Sequence, residues 1–398
     1  MAVTDHATIR RHALQRRPVR SQVLRAFLGA VVILRALPGF AAVLPEDRAD
    51  ILYHSYSGDN VTIEGPSVLV RKGIADKFSV SGNYYVDSVS SASIDVVTTG
   101  ASPYTEERTQ TSVGLDFLRG DTIMGFSVTQ STENDYEAEN LNIGISQDIF
   151  GGLTTVSLGY AIGSDIVRRN GDDQFEDTLD RQNYRLGISQ VLTRNLLVGL
   201  NFETVTDEGF LNNPYRVVRF RDPGSASGYS FQPEVYPRTR TSNAVAVRGR
   251  YFLPYRAVVH AGYRYFIDDW DIEAHTVEVG YMHPMGATTF ELQYRFYTQT
   301  QAEFFSDLFP YRDAQNFLAR DKEMSTFTSN TLRFGVSYDF LEGGWKFLDK
   351  GSLNLIYDYI LFDYENFRDL RAEGLPPGEE PLFNFDADVI QLFVSFWF

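Results

Sequence analysis

The chain has 398 residues and no cysteine, which excludes disulfide bonds, thiolate metal sites and covalently attached haem. It also lacks any run of the roughly 18 uncharged apolar residues that a helix needs to cross a bilayer. Methionine is scarce, at five residues, whereas 30 Phe and 23 Tyr raise the aromatic share to 14%. This balance is typical of the aromatic girdles of membrane β-barrels rather than of a soluble core. A membrane protein of this composition must cross the membrane as β-strands.

Lysine is missing from the first 42 residues, although these residues carry seven Arg and one acid and therefore a net charge of +6. Because the whole chain carries −16, the remainder carries −22. A negative charge of that size repels phosphate backbones, so the composition argues against nucleic acid as a partner.

The first 42 residues have the layout of a secretory signal. An Arg-rich start is followed by the apolar stretch 26–34, and small residues within 38–42 offer a cleavage site. The composition does not shift after residue 48, so we predict a cleaved signal peptide over 1–42 and a single domain over 43–398. A short amphipathic anchor is the alternative interpretation of the leader.

Segments of about ten residues with alternating apolar and polar side chains recur from residue 50 to the C-terminus. Short and long connections alternate between them, as in barrels with tight periplasmic turns and longer outer loops. The sequence therefore predicts an all-β fold, an up-and-down antiparallel transmembrane β-barrel of the outer-membrane type. Sixteen strands result if 50–57 and 61–71 form the first hairpin, and fourteen if these residues form a plug or a periplasmic segment. Gly65-Pro66 weakens that hairpin as part of the membrane wall.

Long outer loops are predicted near 90–105, 166–181, 206–241, 299–328 and 364–384. The loops 206–241 and 299–328 are rich in Phe and Tyr and contain several prolines. Loops of this length are usually functional or disordered, and their aromatic content argues against disorder. We therefore expect these two loops to fold over the mouth of the barrel and to narrow it.

The C-terminal segment alternates and ends on an aromatic residue. Its apolar face consists of Ile390, Leu392, Val394, Phe396 and Phe398. This pattern is similar to the signal by which bacterial outer-membrane barrels are recognised for insertion. We therefore predict a location in the outer membrane of a Gram-negative bacterium, with outer-membrane lipids and the barrel-insertion machinery as partners.

Inward-facing positions differ between the two halves of the predicted wall. Ser, Gly and Asn dominate the first half, whereas the second half is crowded with charge. The charged positions are Arg248, Arg250, Arg256, Arg264, Glu278, Glu291, Arg295 and Arg333. Charges of both signs on neighbouring strands either pair into a ladder that braces the wall or line a constriction that selects anions. The ladder is the more common use of such pairs, and the sequence leaves both interpretations open.

The sequence offers little chemistry beyond this wall. Asp172, Asp173, Glu176 and Asp177 could together bind a hard cation such as calcium, but they lack the ligand order of an EF-hand. Acidic outer loops are mostly just solvated. His260 is predicted to face inward, where a lone histidine is more often a hydrogen-bonded structural residue than a ligand. No nucleophile elbow or phosphate loop is present, and we predict no cofactor.

Several longer motifs stand out in the sequence, at 63–72, 83–87, 90–97, 175–177, 180–185, 207–216 and 315–322. They resemble a family of bacterial outer-membrane proteins that is classified as a domain of unknown function, DUF3570. The resemblance runs from about residue 48 to the C-terminus. It implies the barrel and its compartment but no activity. It also implies an association with a small lipoprotein, a thioredoxin-like protein and a flavin transferase.

Three functional hypotheses follow from the sequence. The first is a non-enzymatic channel or transport component, in which the arginines of the wall bias the lumen and the loops 206–241 and 299–328 gate it. The second is a non-conducting scaffold for a small lipoprotein or a redox partner. The third is a barrel enzyme that uses His260.

Overall fold

The structure is a computed structural model that describes residues 42–91, 104–341, 343–372 and 374–398. The predicted signal peptide and most of the loop near 90–105 lie outside the described residues. All described residues belong to one compact unit, Gly39–Phe398. Within the described ranges the only helical segment is a 3₁₀ turn, Lys322–Met324, and no helix is long and apolar enough to cross a membrane.

The alternating segments form eighteen strands in the described part of the chain. The first nine are β1 (Arg48–Gly58), β2 (Val61–Ile74), β3 (Phe78–Ser91), β4 (Tyr104–Arg119), β5 (Thr122–Thr132), β6 (Tyr136–Ile149), β7 (Thr154–Arg168), β8 (Glu176–Thr193) and β9 (Leu196–Gly209). The others are β10 (Val217–Arg221), β11 (Tyr229–Pro233), β12 (Thr239–Phe252), β13 (Val258–Asp268), β14 (Glu273–Met285), β15 (Thr288–Gln299), β16 (Phe327–Phe340), β17 (Lys350–Arg368) and β18 (Leu382–Trp397).

Sixteen of these strands close into one antiparallel barrel, in which β1 pairs with both β2 and β18. The strands β10 and β11 pair only with each other. The prediction of sixteen strands is confirmed, and the first hairpin belongs to the wall. Pro66 has no N–H to donate, and pairing between β2 and β3 skips Gly65 and Pro66. Only glycine fits before this proline, because a Cβ on Gly65 would lie 1.9 Å from the carbonyl oxygen of Val86.

The two ends of the barrel differ in their connections. In the described ranges the connections at the end that carries the C-terminus are all short, and the longest of them joins β16 to β17 between residues 341 and 349. The opposite end carries the connections 169–175, 210–238, 300–326 and 369–381. The strands extend further towards this end than predicted, since residues 166–168 and 176–181 belong to β7 and β8. Polar pairs such as Ser164–Asp180, 2.9 Å apart, continue the wall beyond its apolar band.

Large apolar side chains cover the outside of the wall. The C-terminal strand contributes Ile390 and Leu392, each 43% exposed, and Val394 and Phe396 continue the same face. Phe398 follows the end of β18, with the ammonium group of Lys72 5.0 Å from the centre of its ring. These side chains are placed to contact lipid, and their recognition by the insertion machinery stays a prediction.

Candidate functional site

Alternation along each wall strand, together with the register between strands, fixes which inward side chains share one row across the wall, and we call such a row a level. Paired residues on neighbouring strands lie side by side and point to the same face of the sheet. One level crosses β13 to β18 through Arg264, Thr276, Tyr297, Ser329, Phe362 and Phe385. The next level towards the long loops runs through Phe266, Ala274, Gln299, Phe327 and Tyr364.

Six aromatic side chains on these two levels form a patch on the lumenal wall, which we call the aromatic storey. Its members are Phe266, Tyr297, Phe327, Phe362, Tyr364 and Phe385. The rings of Phe362 and Phe385 stack with centroids 4.6 Å apart, and the ring of Phe327 lies 5.1 Å from that of Tyr364. Sequence reasoning missed this patch, although Phe and Tyr at inward positions of the alternation are the signal that would have found it.

Seven of the eight charged positions predicted for the wall lie on wall strands, at positions that alternate with lipid-facing residues. Arg248 and Arg250 are on β12, Arg264 is on β13, Glu278 is on β14, Glu291 and Arg295 are on β15, and Arg333 is on β16. Arg256 lies instead in the turn between β12 and β13, with a φ of 70°. Its predicted place in the wall is therefore corrected. The apolar alternation runs on through this turn, although the strand does not.

Some arginines of the charged wall form ion pairs with carboxylates on neighbouring strands, and others do not. The guanidinium of Arg333 donates two hydrogen bonds to Asp358, at 2.7 and 2.8 Å, and Arg248 donates to Glu278 at 3.1 Å. In the described ranges no ion pair joins Arg250 or Arg295 to a carboxylate. The ladder interpretation therefore fits Arg248 and Arg333, while Arg250 and Arg295 leave positive charge facing the lumen.

A wall of small side chains faces this charge. A cavity of about 550 Å³ is lined on one side by Gly144, Ser146, Ser157, Gly159 and Gly187, and on the other by Arg248 and Arg264. Larger residues would fill it: a Cβ on Gly187 would already lie 2.4 Å from the hydroxyl oxygen of Ser157. The small, polar first half predicted from the sequence thus leaves the lumen open beside the arginines.

A second cavity, of about 730 Å³, lies nearer the long loops. The aromatic storey lines it together with Arg216, Arg240, Arg264 and Lys322. Arg264 lines both cavities, so this one side chain marks the junction between the space under the loops and the space along the wall.

The loops 210–238, 300–326 and 369–381 pack together, and we call them the cap. Their apolar core joins loop residues such as Tyr236 and Phe304 to wall residues such as Phe327 and Tyr364. A smaller cluster consists of Val218, Phe220, Phe309 and Leu318. The two aromatic-rich loops therefore pack onto the mouth of the barrel, and the expectation that they narrow it stays a prediction.

A buried ionic cluster ties the three loops of the cap together. Arg219 is 0% exposed and donates to Asp307 at 2.6 Å and to Glu380 at 2.6 and 3.1 Å. Arg320 reaches the same Asp307 at 3.0 Å. Burial raises the pKa of the Glu380 carboxyl, but hydrogen bonds from Arg219 and backbone N–H groups outweigh it, so the pKa lies below the ordinary value.

The cap is also fastened around the rim of the barrel. Lys322 pairs with Asp59, in the turn between β1 and β2, at 2.5 Å. The hydroxyl of Tyr215 donates to Asp135, between β5 and β6, and accepts from the backbone N–H of Asn170 at 2.7 Å. Burial and the Asp135 carboxylate raise the pKa of Tyr215 to about 12, so this hydroxyl stays a donor at neutral pH. The cap therefore spans the mouth rather than one edge of it.

The predicted acidic cluster does not form a cation site in the described structure. Glu176 pairs with Arg168 at 3.1 Å, and Asp177 pairs with Arg238 at 2.7 Å. The side chains of Asp172 and Asp173 are solvent-exposed. Two of the four carboxylates are therefore engaged by arginine, which corrects the calcium interpretation.

Two histidines face the lumen in different settings. His260 shares a hydrogen bond with the amide oxygen of Gln293 at 3.2 Å and packs so closely on Gly280 that a Cβ there would lie 2.2 Å from its ring. His54, which sequence reasoning did not single out, is buried with Nε2 2.7 Å from Asp87 and 3.0 Å from the hydroxyl of Tyr85. Both are held by hydrogen bonds across strands.

Lowering the pH should loosen the cap. Because the pKa of Glu380 in the folded protein lies below the ordinary 4.5, its stabilising contribution is complete above pH 4.5 and is lost as the pH falls through the folded pKa. Asp369 acts in the same direction, since a hydrogen bond from Arg371 lowers its pKa. Hydrogen exchange in residues 369–381, corrected for intrinsic rates, should rise between about pH 6 and about pH 3.

Two variants control this prediction. Glu380→Gln should leave the cap looser at every pH and reduce the rise in exchange to the part that Asp369 contributes, whereas Glu379→Gln, a change at the exposed neighbouring carboxylate, should keep the profile of the parent. Equal exchange at both ends of the pH range in the parent protein would contradict the role given to Glu380.

One family model matches the chain. It covers residues 94–348 and is described as "Protein of unknown function (DUF3570)". The matched range takes in the wall from β4 to β16 and the loops 210–238 and 300–326. No curated protein matches the chain significantly.

Three solved structures are similar to the chain at TM-scores below 0.5. The siderophore receptor PirA from Pseudomonas aeruginosa is 12% identical, with a TM-score of 0.43, over 89% of this chain and 63% of the receptor. A bacterial polysaccharide outer membrane secretin is 7% identical, with a TM-score of 0.46, over 89% of this chain and 100% of the secretin. OmpT of Vibrio cholerae is 11% identical, with a TM-score of 0.42, over 92% of this chain and 100% of that protein. The chain thus spans less than two thirds of the receptor, and identities this low indicate nothing about ligand or activity.

Proposed function

Because the chain belongs to the family described as Protein of unknown function (DUF3570), as its motifs predict, we propose a function from its lumen and cap alone. The protein is a channel or transport component of the outer membrane of a Gram-negative bacterium. It passes small anions, and the cap controls access to the lumen. It is not an enzyme and needs no cofactor.

The observation that carries this proposal is the position of Arg264 at the junction of the two cavities. Its nearest carboxylate partner, Glu203, is 3.8 Å away, and its side chain is 36% exposed. Arg295 lies one level further from the cap than Arg264. In the strand register Arg295 lies opposite Glu278, and Glu278 lies opposite Gly262, which is two residues before Arg264 on β13. A solute that leaves the space under the cap therefore meets positive charge first, which favours anions.

Ion selectivity in planar lipid bilayers tests the proposal. Across a KCl gradient, the reversal potential of the parent protein should be shifted from zero towards the equilibrium potential of chloride. The double variant Arg264→Gln/Arg295→Gln should lower the chloride-to-potassium permeability ratio about fivefold, since each lumenal charge contributes roughly 0.5–1 kcal/mol. Arg256→Gln is the matched control, because it removes an arginine that lies in a turn and should leave the ratio unchanged.

Liposome swelling with sugars, anions and cations would then identify the solute class. Faster swelling with small anions than with cations of equal size is expected. If neither swelling nor conductance occurs with any solute, including after the cap is loosened, the channel proposal fails.

A non-conducting scaffold for a small lipoprotein or a redox partner is the second candidate, and one feature favours it. The turn 341–349, at the end opposite the cap, exposes Trp345 and Phe347, at 57% and 72%. Exposed aromatic pairs of this kind often serve as docking anchors. Recovery of one defined lipoprotein with the parent but not with Trp345→Ser/Phe347→Ser, together with the absence of conductance, would favour the scaffold.

The barrel enzyme is the least supported candidate. The hydrogen bond from His260 to Gln293 and its packing on Gly280 give this side chain a structural role. Loss of an outer-membrane hydrolytic activity in His260→Ala, with the barrel intact, would be needed to revive the enzyme hypothesis.

A further inference from the structure

The aromatic storey is out of place in a water-filled barrel, because the interior of a membrane barrel is normally polar. The cap accounts for only part of it. Phe327 and Tyr364 are buried in the apolar core that the cap forms with the wall, whereas Phe266, Tyr297, Phe362 and Phe385 are only partly buried. All six rings line the cavity of about 730 Å³. The cap therefore leaves an apolar surface that a ligand can still cover.

The cavity has the size of an organic ligand rather than of an ion. Pockets that enclose most of a small organic molecule measure roughly 300–1,000 Å³, and this one falls within that range. The parallel stack of Phe362 and Phe385, inclined by 12°, provides a flat apolar surface within it. Flat rings pack on such surfaces in offset stacks.

Arg264 is the lining cation that remains most available to a ligand. Arg216 pairs with Asp321, Arg240 pairs with Asp268 at 2.5 Å, and Lys322 pairs with Asp59 at 2.5 Å. Arg264 has only the long contact of 3.8 Å to Glu203, and its guanidinium lies 5.3 Å from the ring centre of Phe266. Tyr297 lies on the same level of the wall, two strands away on β15. The guanidinium of Arg264 thus lies at the edge of the aromatic storey, beside Phe266.

The two acids that line the cavity do not oppose this arrangement. Asp59 is already neutralised by Lys322. Glu323 is exposed and belongs to the cap side, where the amide of Gln299 donates to its backbone carbonyl at 2.8 Å. Gln299 lies on the level nearer the loops, one level away from Arg264. The negative charge and the available positive charge are therefore on different levels of the cavity.

We propose that the aromatic storey and Arg264 together bind a small aromatic carboxylate, which names the solute class of the channel proposed above and rests on it. The ring of the ligand packs against Phe266 and Tyr297, the rings of the storey that lie nearest to Arg264 along the wall, and the stack of Phe362 and Phe385 lies further along the same patch. Its carboxylate accepts hydrogen bonds from the planar guanidinium of Arg264, a group that matches carboxylate geometry. Release towards the second cavity then passes Arg264, which lines both.

Isothermal titration calorimetry of the full chain in detergent tests the site with three probes. The first is 1-naphthoate, which has both a ring and a charge. The second is 1-naphthalenemethanol, which keeps the ring and lacks the charge, and the third is hexanoate, which keeps the charge and lacks the ring. Naphthoate should bind at least about tenfold more tightly than either comparator. Equal affinity for all three would overturn the proposal.

Matched variants separate the two halves of the site. Arg264→Gln should weaken naphthoate about tenfold and leave the alcohol unchanged, because only the carboxylate uses the guanidinium. Tyr297→Leu should weaken both ring compounds. The control is Phe317→Leu, a change on an exposed ring outside this cavity that should alter neither affinity. Unchanged naphthoate affinity in Arg264→Gln, with the folded barrel verified by its heat-modifiable gel mobility, would overturn the assignment of Arg264.

The calorimetry does not depend on conduction, so the two proposals can fail separately. Selective naphthoate binding without any conductance would overturn the channel and keep the binding site. Chloride-selective conductance without selective naphthoate binding would overturn the site and keep the channel.

Discussion

Replacement of Arg219 by Met is expected to release the cap from the mouth of the barrel. The side chain of Arg219 is fully buried and joins Asp307, in one loop, to Glu380, in another. Methionine retains much of the length but none of the charge, so the variant leaves two buried carboxylates without this counter-charge. Breaking a buried ion pair in this way costs about 3–5 kcal/mol, which is large for three loops with small apolar cores.

Limited proteolysis of the cap and single-channel conductance measure this effect. Cleavage within 300–326 and 369–381 should speed up by orders of magnitude, and conductance should rise if the cap narrows the mouth. Arg312→Met is the control, because Arg312 lies in the same loop as Asp307 but is exposed, with a contact of only 3.7 Å to Asp313. Adding Glu380→Gln to Arg219→Met should recover part of the protection, since it removes the carboxylate that Arg219 no longer neutralises, whereas Asp307 keeps its ion pair with Arg320. A cap equally resistant in all variants would show that the ionic cluster does not hold it.

Gly209→Ala, which adds one methyl group at the base of the cap, is expected to destabilise the folded barrel strongly. Gly209 ends β9 with a φ of +137°, a conformation that other residues rarely adopt. A Cβ there would lie 2.0 Å from the carbonyl oxygen of Thr178 and 2.8 Å from the Cα of Leu179. Both obstacles are backbone atoms of β8, so the strand itself would have to move.

The displaced strand end would disrupt two hydrogen bonds that lead the chain into the cap. The N–H of Gly209 donates to Arg238 at 2.8 Å, and that of Phe210 donates to Thr178 at 2.9 Å. With the backbone strain added, we expect a loss of about 3 kcal/mol or more, measured by urea unfolding in detergent or as a reduced yield of folded barrel. Gly82→Ala is the matched control, because nothing lies within 4 Å of its added Cβ. A Gly209→Ala barrel as stable as Gly82→Ala would contradict the close approach of β8 to this strand end.

The wall was predictable because the physical rule behind it is local. Side chains alternate between lipid and lumen along each strand. The apolar face that begins with Ile390 and Leu392 can therefore be recognised from the sequence without knowing which strands pair with β18. The sixteen-strand count followed once the first hairpin was placed in the wall. The same rule failed at Arg256. The apolar alternation of the sequence continues there, but the residue lies in a turn with a positive φ and does not occupy an inward position of a strand.

The candidate site was only partly predictable. The inward places of Arg264 and Arg295 follow from alternation, but the ion pairs do not, since the spacing of Arg264 and Glu203 depends on the register of β9, β12 and β13. The acidic cluster shows the same limit. Asp177, on β8, is engaged by Arg238, which lies 61 positions away in the loop 210–238.

The sequence by itself determined which solvent each face of the barrel meets, because a period of two along every strand requires no long-range contact. Only the tertiary structure determined which side chains come together in the lumen and which contacts hold the cap over the mouth. Arg219 meets Asp307 and Glu380 across 88 and 161 positions of the chain, and Arg264 joins the aromatic storey through the register of six strands. Such contacts arise only when the barrel has closed and the loops have packed, since the groups that neutralise a buried charge need not be near it in the chain.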